Sequence, residues 1–245
     1  MKQLMILLVG LLAGYASLQA QTAVRIQVGD IYYADGTTSR AEVGSINAKY
    51  KANPTDRPIG VVYYVEVYGD GAAGQRGWVI ALKDAYDGNY CGWGDINTDE
   101  SGLPNYASRR GPKGDGNEAL ADTAGQAHTQ WMNDNHTLSC SNYAAFYHAY
   151  RYNDGSTAVG GGLWYLPASG QLCRLYGVME SLAASFDALN RSNYGSTTAT
   201  KMRAGLYWSS SEHSALSAWD VPASGKLDNP SNKGFNGYVR SSCSF

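Results

Sequence analysis

The stretch GLYWSSSEHSALSAWD, residues 205–220, holds Ser211, His213 and Asp220. These are the residue types of a nucleophile, its general base and an orienting carboxylate. Acyl transfer by such a set also needs the serine on a strained turn and backbone donors for the oxyanion. No G-x-S-x-G elbow or oxyanion loop accompanies them, so the residue types alone do not make an enzyme. A second chemical pattern is DINTDESG, which sets Asp95, Asn97 and Asp99 at alternate positions, as at the start of an EF-hand calcium loop. The sixth position is Glu100 instead of glycine and the twelfth is Tyr106 instead of glutamate, so these three are weak metal candidates and no cofactor is expected. His128, His136, His148 and His213 show no paired ligand spacing of the H-E-x-x-H kind.

The elements that would hold these residues can be read from periodicity. Val24 to about Leu82 reads as β structure: VRIQV, then DIYYADGTTSRAE with Asp35-Gly36 as a hairpin turn, then IGVVYYVEVY and GWVIALKD joined by GDGAAGQRG. Residues 83–116 are rich in Gly, Asp, Asn and Pro and read as a long functional or core-wrapping loop. From Asn117 the period changes, with Leu120, Ala124, Ala127 and Trp131 on one helical face and Tyr143, Phe146, Tyr147 and Tyr150 on another. Ser169 is the expected N-cap of a third helix broken near Gly177. The tail returns to short strands in LYWSS, SAWDV and GYVRSS. Strands at both ends with two to three helices and long irregular loops between them predict an α+β fold, the terminal strands meeting in one shared antiparallel sheet.

The first residues, MKQLMILLVGLLAGYASLQAQ, have the charged, apolar and small-residue regions of a secretory signal peptide, with cleavage expected after Ala20. The apolar run is too short for a comfortable bilayer span, and no later run is long enough. One domain is expected over 21–245, exported and without a membrane span. A formal charge of −2 is too small to suggest nucleic acid or an anionic membrane as partner. Tyr (19) and Gly (29) are abundant while only 16% of residues are charged, a composition suited to binding through flat rings and hydrogen bonds. Cys91, Cys140, Cys173 and Cys243 allow three disulfide pairings in an oxidising compartment, and Cys173 with Cys243 is the preferred pair because both lie in the C-terminal half.

Three C-terminal segments, WYLPASGQLCRLYG, YWSSSEHSALSAWD and GYVRSSCSF, occur in that order. Together they resemble the bacterial C-type-lectin-like domains, whose hallmarks are Trp-x-Leu-Pro before a helix, Tyr-Trp-Ser-Ser-x-Glu, and a closing Val-Arg strand. GDIYYADGTTS, PIGVVYYV and GWVIALKDA resemble the first half of exported members, so the likeness covers nearly all of the mature chain. It implies a binding module of the kind found in adhesins and variable ligand-binding proteins. On that resemblance Trp164, Leu166, Pro167, Tyr207, Trp208, Ser209, Ser210, Glu212 and Arg240 are framework residues. Trp164 and Trp208 would anchor the core, while Ser209, Ser210 and Glu212 would tie down loop backbone.

Binding in such folds falls on loops, which here implies His213, Ser214, Trp219, Asn229, Asn232, Lys233, Phe235 and Asn236 as ligand contacts. A carbohydrate or a protein is the expected partner, recognised without calcium because the Glu-Pro-Asn, Gln-Pro-Asp and Trp-Asn-Asp triplets are absent. Formylglycine-generating enzymes share a related fold, but their Gly-Asn-Val-Trp-Glu-Trp stretch is missing. The expectation is an exported or surface ligand-binding, adhesin-like domain and not an enzyme. A structural or assembly subunit of a surface appendage is the alternative.

Overall fold

A computed structural model describes residues 25–67, 74–106, 117–152, 164–195, 198–227 and 229–245. The leader expected at 1–20 and most of the GDGAAGQRG turn lie outside the described residues. The chain folds as α+β with antiparallel sheets. The Asp35-Gly36 turn forms as its chemistry predicts, between β1 (Ile31–Tyr33) and β2 (Thr38–Ser39). Gly36 has φ of 84°, a left-handed value that glycine tolerates, and Asp35 Oδ1 accepts from Thr37 N at 2.9 Å. VRIQV is not a strand over its described residues. Ile26 instead pairs with the side-chain amide of Gln75, which accepts from its N–H at 2.8 Å and donates to its carbonyl at 2.9 Å.

Helix α1 (Val43–Ala52) follows the hairpin and was not expected, since Ile46 is its one buried residue and its apolar pattern is correspondingly thin. β3 (Pro58–Val67) and β4 (Gln75–Ala81) pair antiparallel with a bulge between Val62 and Tyr64. The closing strand β8 (Ser242–Ser244) pairs with β4, giving the order β2-β1-β3-β4-β8, so both ends of the described chain enter one sheet. Two cores lie on its opposite faces, as strand pleating requires. Val79 and Ala81 of β4 join Trp93, Phe146, Trp164 and Trp208 on one side. Ile80 and the following Leu82 join Leu172, Leu182, Phe186 and Tyr207 on the other.

The other tail strands do not enter that sheet. β5 (Leu206–Ser214), β6 (Ser217–Pro222) and β7 (Ser231–Asn232) form a second one, because β8 already occupies the edge of β4. Single bridges at Tyr165–Ser242 and Tyr207–Tyr238 stitch the layers together.

Residues 117–135 form two helices, α2 (Asn117–Ala121) and α3 (Gly125–Asn135). Asp122 breaks them by accepting from Ala124 N with its carboxylate at 2.9 Å and from Gly170 N with its carbonyl at 3.0 Å. That break overturns the expected Leu120/Ala124/Ala127/Trp131 face. Leu120, Ala124 and Ala127 are exposed, and α3 buries Gly125, His128, Thr129 and Met132 instead. α4 (Ala144–Tyr150) buries Phe146. The last helical stretch divides at Gly177 into α5 (Ser169–Gly177) and α6 (Met179–Asn190).

Ser169 is the first helical residue and not the cap. The Gln171 side chain accepts from Ala168 N at 2.9 Å, leaving the Ser169 hydroxyl to donate to the Ala119 carbonyl at 2.5 Å. The preferred disulfide does not form either. Cys243 lies with the Trp208 core and Cys173 packs against the opposite one, so the sheet stands between them, and no disulfide joins any of the four cysteines. Among the described residues, no helix is long and apolar enough to cross a membrane.

Candidate functional site

β5 carries the Tyr-Trp-Ser-Ser-x-Glu segment and is buried on both faces from Tyr207 to Glu212. Six consecutive polar or aromatic side chains can be enclosed this way only if each polar atom finds a partner. Trp208 Nε1 donates to the Cys91 carbonyl at 2.9 Å, and the Ser209 hydroxyl to the Trp219 carbonyl at 2.6 Å. Ser210 Oγ lies 3.1 Å from His128 Nδ1, and burial pushes that imidazole below its usual value against the pull of Asp122. Ser211 donates to Asp122 and accepts from the Ser169 backbone N–H at 2.9 Å.

Ser211, His213 and Asp220 are therefore committed to separate partners. His213 Nδ1 meets Ser217 Oγ at 2.9 Å. Asp220 lies in the β5–β6 ladder opposite Trp208, its carboxyl pushed up by burial and drawn down by its hydrogen bond with Ser231. The other framework residues are interior as well. Trp164, Leu166, Pro167 and Tyr207 are buried, and Arg240 Nε reaches Asp84 at 2.7 Å. Among the described residues, Trp164 Nε1 meets no acceptor.

Glu212 and Lys233 form the hub beneath the loops. Their side chains are ion-paired, and both are fully enclosed. Lys233 Nζ also donates to the Thr98 carbonyl at 2.6 Å and lies 4.7 Å from the centre of the Trp93 ring. Glu212 accepts from Glu100 N at 3.1 Å, and burial pushes its carboxyl up while Lys233 pulls it down. Glu100 in turn accepts from Tyr143 OH and lies 2.8 Å from His136 Nε2.

Backbone bonds extend the same tie: Trp93 N to Lys233 O at 2.8 Å, Lys233 N to Leu216 O at 3.0 Å, Asn97 N to Ala215 O at 3.0 Å, and Tyr106 N to Glu212 O at 3.1 Å. The 91–106 loop is thus strapped to the β5–β6 turn and to the segment after β7.

Above the hub, these three loops present three large apolar side chains to solvent. Ile96, Leu216 and Phe235 are 41%, 51% and 59% exposed. Gly234, next to Phe235, lets Ile96 pack close to the segment after β7, since a Cβ there would meet Ile96 Cδ1 at 2.7 Å. Around them Asn232 Oδ1 accepts from Gly234 N at 2.9 Å, Ser214 Oγ meets Ser217 Oγ at 2.9 Å, and Asn229 and Asn236 are exposed.

Two residues expected on this surface are not there. Trp219 is buried with its Nε1 donating to Tyr106 O at 3.1 Å, and Lys233 is the enclosed cation of the hub. Each has an apolar body that burial rewards and a polar tip that finds its partner inside. Ile96 was overlooked because it sits in a Gly- and Asp-rich stretch with no periodicity. Its signal is an isolated large aliphatic residue in a polar loop.

The weak metal candidates are occupied by neighbours. Asp95 Oδ2 accepts from Thr98 Oγ1 at 3.2 Å, Asp99 Oδ1 from Asn105 Nδ2 at 2.6 Å, and Asn97 turns the chain with φ of 74°. Among the described residues, no three His, Cys, Asp or Glu side chains converge as a metal site.

An apolar tip on a rigid polar base can exclude water from a contact. Covering the exposed half of each such side chain stabilises an association by roughly 1 kcal/mol. No family model matches this sequence, and no curated protein matches it significantly. Among solved structures, the chain is similar to a fimbrial protein from Bacteroides ovatus ATCC 8483, with a TM-score of 0.63 and 17% identity over 90% of this chain and 49% of that one. The chain therefore spans about half the length of that protein, and at this identity the likeness is one of fold.

Proposed function

We propose that the chain is a structural or assembly subunit of a surface appendage, using a C-type-lectin-like α+β framework to make protein contacts through the Ile96–Leu216–Phe235 tip. The observation that carries this reading is the tip itself: three exposed apolar side chains from three loops, held in place by the enclosed Glu212–Lys233 pair. Exposed apolar groups clustered on a polar surface favour a protein partner over a sugar at this position. The fold likeness to a fimbrial protein supports the setting, and the leader-like first residues support export. The chain acts by binding and not by turnover, since the serine, histidine and aspartate of 205–220 are spent on separate partners.

The test is filament association. Sheared surface filaments from cells expressing the full chain should contain it, and Phe235→Ser with Leu216→Ser should reduce that content roughly tenfold or more while the purified variant unfolds at the wild-type urea midpoint. Wild-type protein absent from the filament fraction, or a double variant incorporated as well as wild type, refutes the proposal.

A further inference from the structure

A separate feature lies along the free side of β8. A cleft of about 480 Å³ opens between the β4–β8 edge and the start of α3, within the size range of small-ligand sites. Its floor is a hydrogen-bonded row: Gln171 Nε2 donates to Tyr165 OH at 3.1 Å, and Tyr165 OH meets Ser244 Oγ at 3.2 Å. Gln171 and Tyr165 are fully buried, so this row stiffens the base of the cleft, and the polar groups open to a ligand include those of Thr123, Gln126 and Ser244.

One wall is the indole of Trp78, stacked on Tyr64 with ring centres 4.3 Å apart and planes at 24°. The Arg174 guanidinium lies 4.9 Å from the Tyr64 ring and 5.4 Å from Trp78, which fixes the indole in place. The lining also includes Gln126 and Gln130 on α3, the Gln130 Nε2 donating to Asp134 Oδ1 at 2.7 Å and leaving its Oε1 as an acceptor.

We propose that this cleft binds a neutral, polyhydroxylated ligand of one or two sugar rings. A sugar ring has an apolar C–H face and a rim of hydroxyls that both donate and accept. A fixed indole in one lining with the amides of Gln126 and Gln130 and the hydroxyls of Thr123 and Ser244 matches both. Charge points the same way. Among the described residues, no Asp, Glu, Lys, Arg or His lines the cleft itself, which favours a neutral ligand over a phosphate, a carboxylate or an ammonium group that would lose its water uncompensated. The adjoining hollow of about 280 Å³ shares Trp78 and Ser244. The charged pair on it, Arg76 and Glu66, lies 3.4 Å apart and is mutually neutralising.

An extended peptide added to the sheet is the weaker occupant. Strand addition needs a row of free backbone groups, and Tyr165 already takes both those of Ser242, at 2.9 and 3.0 Å.

The site is remote in sequence from the loop tip and independent of its role. Saturation-transfer NMR on the full chain, with cellotriose, maltotriose and triacetylchitotriose as probes, tests it. At least one trisaccharide should receive saturation, strongest on the C–H protons of one ring face. Trp78→Leu should weaken that binding roughly tenfold or more. Because Trp78 also packs on Tyr64, Gln126→Ala with Gln130→Ala is the second variant, on a solvent-facing helix surface, and should weaken binding by a similar factor. Phe235→Ser should leave it unchanged. The proposal is overturned if none of the three probes receives saturation, if the glutamine double variant binds as well as wild type, or if an alternating Thr-Val hexapeptide occupies the cleft and the sugars do not.

Discussion

Lys233 and Glu212 form an ion pair from which solvent is wholly excluded, both side chains being 0% exposed. Removing one partner of such a pair costs about 3–5 kcal/mol, because the other charge is left in a medium that cannot solvate it. Lys233→Met should therefore lower the unfolding free energy by that amount in urea denaturation, and Lys233→Met with Glu212→Leu should recover most of it. A single variant as stable as wild type would show that water reaches Glu212.

His128 makes stability depend on pH. Burial is the larger influence and holds its imidazole below the ordinary value of 6.5, although Asp122 pulls it upward and Ser210 contacts Nδ1. A depressed folded value means that the unfolded chain binds the proton more readily. The contribution is therefore complete above pH 6.5 and is lost as pH falls through the folded value. Urea midpoints of wild type should drop through that window, and His128→Asn, lacking the titration, should show a flatter profile. Parallel profiles would remove His128 as the cause.

Thiol reactivity should follow burial. Burial pushes Cys91 up to about 12 and Cys173 to about 11, Cys243 is enclosed, and Cys140 is exposed. Since the thiolate is the reactive form, an aromatic disulfide reagent at neutral pH should modify Cys140 first in the native protein. All four should react in denaturant, and Cys140→Ser should abolish the fast phase. A shortfall in denaturant would reveal a disulfide.

Gly170 is a packing glycine on α5. A Cβ there would meet the Leu120 carbonyl at 2.3 Å and the Asp122 carbonyl at 2.5 Å, both backbone atoms of the α2 turn. Gly170→Ala should cost about 1–3 kcal/mol by forcing α5 away from that turn, read as a lower urea midpoint. An unchanged midpoint would mean that α2 moves freely against α5.

Much of the fold was legible because its signals are local. The Asp35-Gly36 turn, the two long strands it precedes and the helix break at Gly177 each depend on a few adjacent residues, and the structure places all of them where the sequence puts them. The exposed face of α3 was misread for the opposite reason. Ala and Leu at helical spacing look like a core stripe, yet Asp122 ends the preceding helix and turns α3 so that His128, Thr129 and Met132 face inward.

Residue chemistry by itself determined that 205–220 is a dense, strand-forming polar and aromatic segment, that Phe235 and Asn236 lie in a loop, and that strands near both ends of the described chain flank a helical middle. Only the tertiary structure decided which polar residues face water. Lys233 lies twenty-one positions beyond Glu212 and was read as a surface cation, but the packing of the 91–106 loop over β5 encloses both and leaves Ile96, Leu216 and Phe235 outside. Burial is a property of the assembled layers. A lysine with a matched carboxylate can go inside and an isoleucine with nothing above it can stay out, and that pairing is not carried by the identity of either residue.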